Sequence, residues 1–366
     1  MPITLGVEEE FLVVDAASGA LVPRARDVIG PAMRRIGAAV TTELNLCQIE
    51  IGTEICTSLS DLGDELTRLR RGLTDAAAEV GCRIAAVGTH PFSPWEHARI
   101  DVENERYERM EADYQLLARE QVICGCHVHV GIDDRDLAIA VMNRVRGWLP
   151  ALLALSANSP FWQGVDTGYA SYRTQIWQRW PTAGMPPELE SRAEFDLVLA
   201  EMVATGVISD GTYLYWYVRP SARFDTLEFR VADVCLSADD TLVLAGLIRA
   251  LTWTCAKEIA DGSPPLRQRR DVLDAAMWQA SRYGLSGELL DPSTVSPRPA
   301  VDVVRALVDH VRPGLEAHGD DDSVGALVDT ILADGNGAER QRRARHRRDS
   351  PCDVLCHVLQ ETTSSS

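Results

Sequence analysis

Lysine is nearly absent from this sequence. Lys257 is the only lysine among 36 basic residues in a chain of 366, and all the others are arginines. No GxxxxGK[ST] motif occurs, which excludes nucleotide binding through a phosphate-loop lysine. Any bound phosphate must therefore be held by arginine, histidine or a metal ion, and the planar fork of arginine suits that task.

Basic residues are outnumbered by acidic ones, 36 against 54, which gives the chain a formal net charge of -18. Binding to nucleic acid or to an anionic membrane depends on a basic surface, so we expect neither partner. An anionic substrate would need a local cationic site or a metal ion.

Long apolar runs and a secretory cysteine pattern are also missing. Polar residues interrupt every apolar run before it reaches membrane-spanning length, and residues 1–6 lack the basic flank and cleavage site of a signal peptide. The nine cysteines are odd in number and lack the spacing of a small secreted scaffold. These absences predict a soluble, cytoplasmic protein with reduced thiols.

Strand-like and helix-like segments follow one another without strict alternation. Strands are predicted near residues 3–14, 43–56, 82–89, 121–132, 211–219 and 226–235, with helices between them and a largely helical remainder after residue 261. This order predicts an α+β fold in which a mixed, mostly antiparallel sheet lines the active site and helices pack on its other face. Residues 1–348 are expected to form a single catalytic domain, and residues 349–366 a partly disordered tail.

Three distant segments each place two reactive side chains two residues apart within an apolar run. The pairs are Glu8 and Glu10, His127 and His129, and Glu228 and Arg230. Side chains at i and i+2 share one face of a strand. Burying such groups unpaired costs several kcal/mol for each ion, so a metal ion or phosphate explains them well. The pattern predicts that one sheet face is a site for metal ions and polyanions.

Each pair also has a structural explanation. Residues 8–10 alone could be an exposed acidic strand end, but their apolar flanks place them in mid-strand, where carboxylates are natural ligands of Mg²⁺. Glu228 and Arg230 could form a cross-strand salt bridge. Glu43 and Glu50 are seven residues apart, so strict alternation puts them on opposite faces; either a bulge intervenes or only Glu50 faces the site.

The histidine strand resembles a zinc cluster only superficially. Alternation puts Cys124 and Cys126 on the face opposite His127 and His129, so one ion cannot reach all four. The two histidines could be hydrogen-bonded core residues. Their shared face instead favours one as a metal ligand and the other as a donor to phosphate or substrate.

Five motifs in order give the chain a family resemblance. They are residues 6–11 (GVEEEF), 125–131 (GCHVHVG), 158–164 (NSPFWQG), 167–173 (TGYASYR) and 226–233 (TLEFRVAD). Together they resemble the carboxylate-amine ligases often called type 2 glutamate-cysteine ligases, whose catalytic fold is similar to that of glutamine synthetase. The likeness ends near residues 337–342 (GAERQR).

The resemblance implies residue roles. It implies a site for ATP with two or three Mg²⁺ ions, or Mn²⁺ in their place, held by Glu8, Glu10, Glu43, Glu50, His127 and Glu228. Arg230 and Arg173 would stabilise the transferring phosphoryl group, His129 would contact phosphate or substrate, and residues 158–180 would close over the amino-acid site.

The resemblance also implies a reaction. A carboxylate of glutamate or a similar acid attacks the γ-phosphate of ATP, and an amine, cysteine or another, then displaces phosphate from the acyl phosphate. ADP and phosphate are the expected products, and a homodimer is the expected assembly. Two alternatives stay open here: a phosphotransferase similar to guanidino kinases, and a nucleotide- or metal-binding regulator without turnover.

Overall fold

The strands that carry the three reactive pairs are neighbours in one antiparallel sheet. The structure, a computed structural model, describes residues 3–346 and 350–364. Its strands are β1 Leu5–Asp15, β2 Val40–Thr42, β3 Gln48–Gly52, β4 Cys82–Ala85, β5 Gly125–Gly131, β6 Phe161–Trp162, β7 Val165–Asp166, β8 Val218–Pro220, β9 Thr226–Asp233, β10 Glu288–Asp291 and β11 Ser296–Pro299. The main sheet has the order β2-β3-β1-β5-β9-β8, with β4 also paired to β1.

Helices surround this sheet. They are α1 Ala25–Ile36, α2 Leu59–Glu79, α3 Glu105–Tyr114, α4 Leu116–Arg119, α5 Arg135–Val145, α6 Leu149–Ser156, α7 Tyr172–Trp177, α8 Arg192–Ala204, α9 Ala238–Ala260, α10 Arg270–Tyr283, α11 Ala300–His318, α12 Asp321–Asp334, α13 Gly337–His346 and α14 Pro351–Thr363. Helices α2, α6 and α9 contact strands of the main sheet. The predicted α+β class and the mainly antiparallel sheet are confirmed.

The register of the sheet brings the reactive residues level with one another. Glu10 of β1 lies opposite Glu50 of β3, and Glu8 lies opposite His127 of β5. On the next strand pair, His129 lies opposite Glu228. A β-bulge in the pairing of β5 with β9 falls at His127. The alternation expected from the sequence is thus realised on four adjacent strands.

Helix α2 shows how the reverse face is covered. Ser58 caps it by accepting a hydrogen bond from the backbone N–H of Asp61 (3.0 Å). The helix buries apolar side chains at helical spacing, Leu59, Leu62, Leu66, Leu69 and Leu73.

Two segments differ from the predicted strands. Only β3, Gln48–Gly52, lies within the predicted strand 43–56; β2 ends just before it, and a loop holds Glu43 between the two strands. Of the predicted strand 211–219, only Val218 and Arg219 lie in a strand, β8, and residues 211–213 form a 3₁₀ turn capped by Asp210. The remainder after residue 261 also contains the hairpin β10–β11, which the helical prediction missed.

The expectation of a partly disordered tail at residues 349–366 is wrong for residues 351–363. They form α14, whose buried residues include Leu355, Val358 and Leu359 at helical spacing. Thr362 accepts a hydrogen bond from the backbone N–H of Ala86, just after β4 (2.9 Å). Apolar burial on the N-terminal half therefore orders this segment; residues 349, 365 and 366 lie outside the described residues.

One helical stretch of the described chain, Arg135–Ser156, is long and apolar enough by composition to cross a membrane. However, 78% of its apolar window is buried inside the protein. It comprises α5, one 3₁₀ turn and α6, and α6 is buried along its whole length. Burial in the core accounts for its composition.

Candidate active site

All nine residues singled out from the sequence line one cavity of about 370 Å³ on the open face of the sheet. They are Glu8, Glu10, Glu43, Glu50, His127, His129, Arg173, Glu228 and Arg230. Seven come from adjacent sheet strands, Glu43 comes from the β2–β3 loop and Arg173 comes from α7. Glu43 and Glu50 both reach the cavity because a loop, not a continuous strand, joins them. The alternation that would put them on opposite faces therefore does not apply.

Carboxylates and imidazoles form two groups that share Glu8. Its Oε2 lies 3.2 Å from Nδ1 of His127, and its Oε1 lies 3.5 Å from Nε2 of His129. Possible ligand atoms lie within 4.8 Å of one another in the trio Glu8, Glu50 and His127, and again in the trio Glu8, His129 and Glu228. Nε2 of each histidine is buried without a hydrogen-bond partner. Such orphaned nitrogens are typical of sites completed by a ligand.

The carboxylates divide into two electrostatic classes. Burial, followed by the nearby charge of Glu43, raises the pKa of Glu10 to about 7. Burial and then the charges of Glu8, Glu43 and Glu10 raise the pKa of Glu50 well above its usual range. Burial alone would raise the pKa of Glu8, but the neighbouring imidazoles of His127 and His129 lower it. Burial and acidic neighbours therefore oppose ionisation of Glu10 and Glu50, whereas Glu8 is stabilised as a carboxylate.

Glu228 is held by two arginines, Arg230 and Arg219, of which only Arg230 was predicted from the sequence. Arg230 donates to its carboxylate, and Arg219 donates from Nε to Oε2 (3.0 Å) and from Nη2 to Oε1 (3.3 Å). Nη1 of Arg219 also bonds the carbonyl of Leu214 (2.6 Å). Burial would raise the pKa of Glu228, but Arg230 and Arg219 lower it. Arg219 faces Glu228 directly across β8 and β9, a register that no single segment reveals.

Arg173 lies in a cradle built by residues outside the predicted set. It is 2% exposed, its guanidinium lies over the ring of Trp177, and the same guanidinium fills the space where Gly125 lacks a Cβ. Nη1 lies 3.9 Å from Asp233, which accepts hydrogen bonds from the hydroxyl of Ser159 (2.6 Å) and from other groups of the segment that precedes α7. Asp233 thus links the predicted loop 158–180 to the end of β9.

The far wall of the cavity is aromatic. Trp177, Trp180 and Tyr215 line it, together with Tyr107 and Arg106 from α3. Tyr107 Oη lies 3.4 Å from the carboxylate of Glu43, and the Arg106 guanidinium lies over the ring of Tyr213. No pattern in the sequence of α3 shows which of its faces meets the sheet.

Known proteins resemble this chain along its whole length. The model of the family described as glutamate-cysteine ligase family 2 (GCS2) matches residues 4–357. A protein of Rhodopirellula baltica named "Putative glutamate--cysteine ligase 2" is 40% identical over 369 residues, covering 99% of this chain and 98% of its own.

Solved structures share the fold. The glutamate-cysteine ligase of Francisella tularensis, solved in complex with AMP, superposes with a TM-score of 0.69 at 14% identity, covering 100% of this chain and 90% of that one. A bifunctional glutathione synthetase from Pasteurella multocida gives a TM-score of 0.73 at 17% identity, covering 99% and 52%. At these identities the likeness concerns the fold.

The antiparallel sheet presents carboxylates, imidazoles and arginines to one cavity, and the family that matches the chain is one of glutamate-cysteine ligases. Together these findings define an ATP-dependent ligase that forms a carbon–nitrogen bond. The chain belongs to glutamate-cysteine ligase family 2. The resemblance drawn from the five motifs is thereby confirmed.

Proposed function

We propose that this ligase joins the side-chain carboxylate of glutamate, or of a similar acid, to an amine through an acyl phosphate, with cysteine the first acceptor to test. One observation carries the proposal: two carboxylate–imidazole trios share Glu8 inside a cavity that also contains Arg173 and Arg230. A site of this kind suits the meeting of two anions, ATP and a carboxylate.

The donor set fits divalent ions. We assign Mg²⁺ to Glu8, Glu10, Glu43, Glu50, His127 and Glu228, because carboxylate oxygens are its preferred protein ligands. The unpartnered Nε2 of His127 and the mutual repulsion of the carboxylates both favour a cation here. When bound, such ions neutralise the repulsion between the attacking carboxylate and the phosphates of ATP.

The arginines supply charge that cannot be lost. Burial would lower the pKa of Arg230, but the carboxylates of Glu228 and Glu8 raise it above its usual range, so this side chain stays a cation. We assign Arg230 and Arg173 to the transferring phosphoryl group, whose oxygens carry negative charge in the transition state. Nδ1 of His129 is bonded to the Thr226 hydroxyl (2.9 Å), which leaves Nε2 for a phosphate or substrate oxygen.

The reaction follows in two displacements. A carboxylate oxygen of the acid forms a bond to the γ-phosphorus as the bond to ADP breaks. The amine nitrogen then attacks the acyl carbon, phosphate leaves, and the nitrogen loses a proton as the amide forms. The arginines hold the phosphoryl group in line in the first step, which is the main contribution of the protein to phosphoryl transfer.

Phosphate release with a panel of amines tests this proposal. We expect release from Mg-ATP only when glutamate and an accepted amine are both present, with the mass of the matching amide. Glu228→Gln should abolish release, whereas Glu201→Gln on α8, an exposed residue outside the cavity, should not. Phosphate release that does not depend on the amine would contradict the proposal. So would transfer of phosphate to a nitrogen with no amide formed.

Three further features belong to the proposal. We expect a homodimer, as the family resemblance implies, together with a cytoplasmic location and a single catalytic domain over residues 1–348. Sedimentation of the purified chain, which measures its mass in solution, tests the first of these.

A further inference from the structure

Three possible metal ligands meet between two helices, outside the cavity of the sheet. Cys255 and Glu258 lie three residues apart on α9, and His310 lies on α11, which packs against α9. Residues three apart on a helix share one face. One ligand atom from each of the three residues lies within 4.8 Å of those of the other two. None of the three lines the cavity that holds the proposed active site.

The thiol of Cys255 is buried without a hydrogen bond. The residue is 1% exposed and forms no disulfide, and its Sγ bonds to no donor or acceptor within residues 3–346 and 350–364. A buried cysteine by itself is common in protein cores. This sulfur, however, lies beside a carboxylate and an imidazole, and those three groups are the ligands from which protein zinc sites are built.

The imidazole of His310 is held in place by stacking. Its ring centroid lies 5.1 Å from that of Trp148, at an interplanar angle of 23°. Nε2 lies 3.8 Å from Oε1 of Glu258, which is too long for a hydrogen bond. The usual zinc–ligand distances put two ligand atoms of one tetrahedral ion about 3.3–3.6 Å apart. An ion therefore fits between these two atoms with little movement of either side chain.

Arg144 of α5 orients the carboxylate without occupying the oxygen that an ion needs. Its Nη1 donates to Oε2 of Glu258 (3.1 Å), which leaves Oε1 on the side of His310. Carboxylates that bind metals are commonly fixed by such outer hydrogen bonds. The side chains of Glu258 and His310 are 31% and 25% exposed, so an ion can enter from solvent.

We propose that Cys255, Glu258 and His310 form a zinc site between α9 and α11, with water as the fourth ligand. A thiolate ligand selects Zn²⁺ over Mg²⁺, which prefers oxygen, so the Mg²⁺ assigned to the cavity would not fill it. Burial raises the pKa of the Cys255 thiol, so its proton stays on sulfur until the metal ion displaces it. The S–H bond breaks, the proton goes to solvent, and the sulfur electron pair forms the bond to zinc.

Cobalt substitution tests the site, because Co²⁺ takes the place of Zn²⁺ and a cobalt–thiolate bond has its own charge-transfer absorption. We would titrate the metal-free full chain with Co²⁺ and then with Zn²⁺, keeping Mg²⁺ present throughout. We expect a cobalt–thiolate band that saturates at one ion per chain and disappears when Zn²⁺ is added. The carboxylates and imidazoles of the cavity cannot produce this band, because they contain no sulfur.

Substitution of the ligands should remove the signal. Cys255→Ala should abolish the band. His310→Phe keeps a ring against Trp148 but removes the nitrogen. A group that only orients a ligand already contributes about 10–100-fold to metal affinity, so His310→Phe should weaken Zn²⁺ binding by about 100-fold or more. Glu258→Gln, on the more exposed side of the cluster, should also weaken it and serves if a buried variant folds poorly.

Cys356→Ala is the matched control. This cysteine is an exposed free thiol on α14, so its loss should change neither the band nor the affinity for Zn²⁺. Far-ultraviolet circular dichroism shows whether each variant keeps its helices.

Three outcomes would overturn the inference. An unchanged chain that develops no cobalt–thiolate band has no such site. A band that survives Cys255→Ala but is lost with Cys356→Ala would place the thiolate ligand on α14. Full affinity of His310→Phe for Zn²⁺ would remove the imidazole from the ligand set and with it the three-residue site. Phosphate release is measured separately, so none of these results decides the proposed ligase.

Discussion

Arg70 and Glu9 form a bidentate ion pair on the reverse side of the sheet. Nε of Arg70 donates to Oε2 of Glu9 (2.9 Å), and Nη2 donates to Oε1 (2.6 Å). Both side chains are almost fully buried. Nη2 also donates to the carbonyl of Cys235 just beyond β9 (2.9 Å). The middle residue of the acidic triplet thus ties β1 to the end of β9, behind the cavity that its neighbours Glu8 and Glu10 face.

Arg70→Met should destabilise the protein strongly, because it leaves the Glu9 carboxylate buried without its partner. We expect the free energy of unfolding to fall by about 3–5 kcal/mol, measured by urea denaturation. Replacing both residues with methionine should recover most of the loss. Arg68→Met, which removes an exposed pair with Glu65, should cost at most about 1 kcal/mol and serves as the control.

Gly125→Ala should impair catalysis more than folding. An added Cβ would lie 2.9 Å from Cζ of Arg173, so the guanidinium must move. Misplacing a group that orients the reacting atoms can cost about 10²-fold in rate, whereas the free energy of unfolding should change by about 1 kcal/mol. Gly52→Ala in β3, where a Cβ meets no atom within 4 Å, is the matched control. Equal catalytic rates for the two variants would show that the position of Arg173 does not affect the reaction.

Mg²⁺ should stabilise the folded chain even without substrates. Binding at 100 times the dissociation constant adds about 2.7 kcal/mol to the free energy of unfolding, measured in Mg²⁺ against EDTA. Glu50→Gln removes one of the mutually repelling carboxylates. We therefore expect this variant to be at least as stable as the unchanged chain in EDTA and to gain much less from Mg²⁺. A full gain would remove Glu50 from the ligand set.

Protonation of His90 should lower the free energy of unfolding in acid. Its Nε2–H donates to the carbonyl of Gly19 (3.0 Å), and Nδ1 accepts from the backbone N–H of Ser93 (2.9 Å), so the buried ring is neutral. Burial lowers its pKa to about 4 from an ordinary 6.5. Between these values the unfolded chain binds more protons, so stability is complete above pH 6.5 and falls towards pH 4.

The slope that His90 contributes should approach about 1.4 kcal/mol for each pH unit in that window. His90→Asn keeps an acceptor for Ser93 but cannot titrate. The difference in free energy of unfolding between this variant and the unchanged chain should therefore shrink as the pH falls. Parallel curves would show that His90 is not the titrating group.

The sequence was most informative where alternation places two polar residues on one strand face. That pattern identified Glu8 and Glu10, His127 and His129, and Glu228, and the register of β1, β5 and β9 then brought them together. It works because burial of such groups is too costly to be accidental. The roles assigned to these residues stay predictions.

Residues that depend on long-range packing were not visible. Arg219 meets Glu228 through strand pairing, and Asp233 meets Arg173 through a loop more than 50 residues earlier in the chain. Neither contact leaves a local pattern. The hairpin β10–β11 and helix α14 were missed for a related reason, since short elements are stabilised by their neighbours more than by their own propensity.

Glu8 is the only residue that the two trios have in common. Its two oxygens are directed to different histidines, Oε2 towards His127 and Oε1 towards His129. Because both oxygens belong to one carboxylate, a change in its rotamer moves donor atoms of both trios together. A substitution at Glu8 should therefore alter both trios at once.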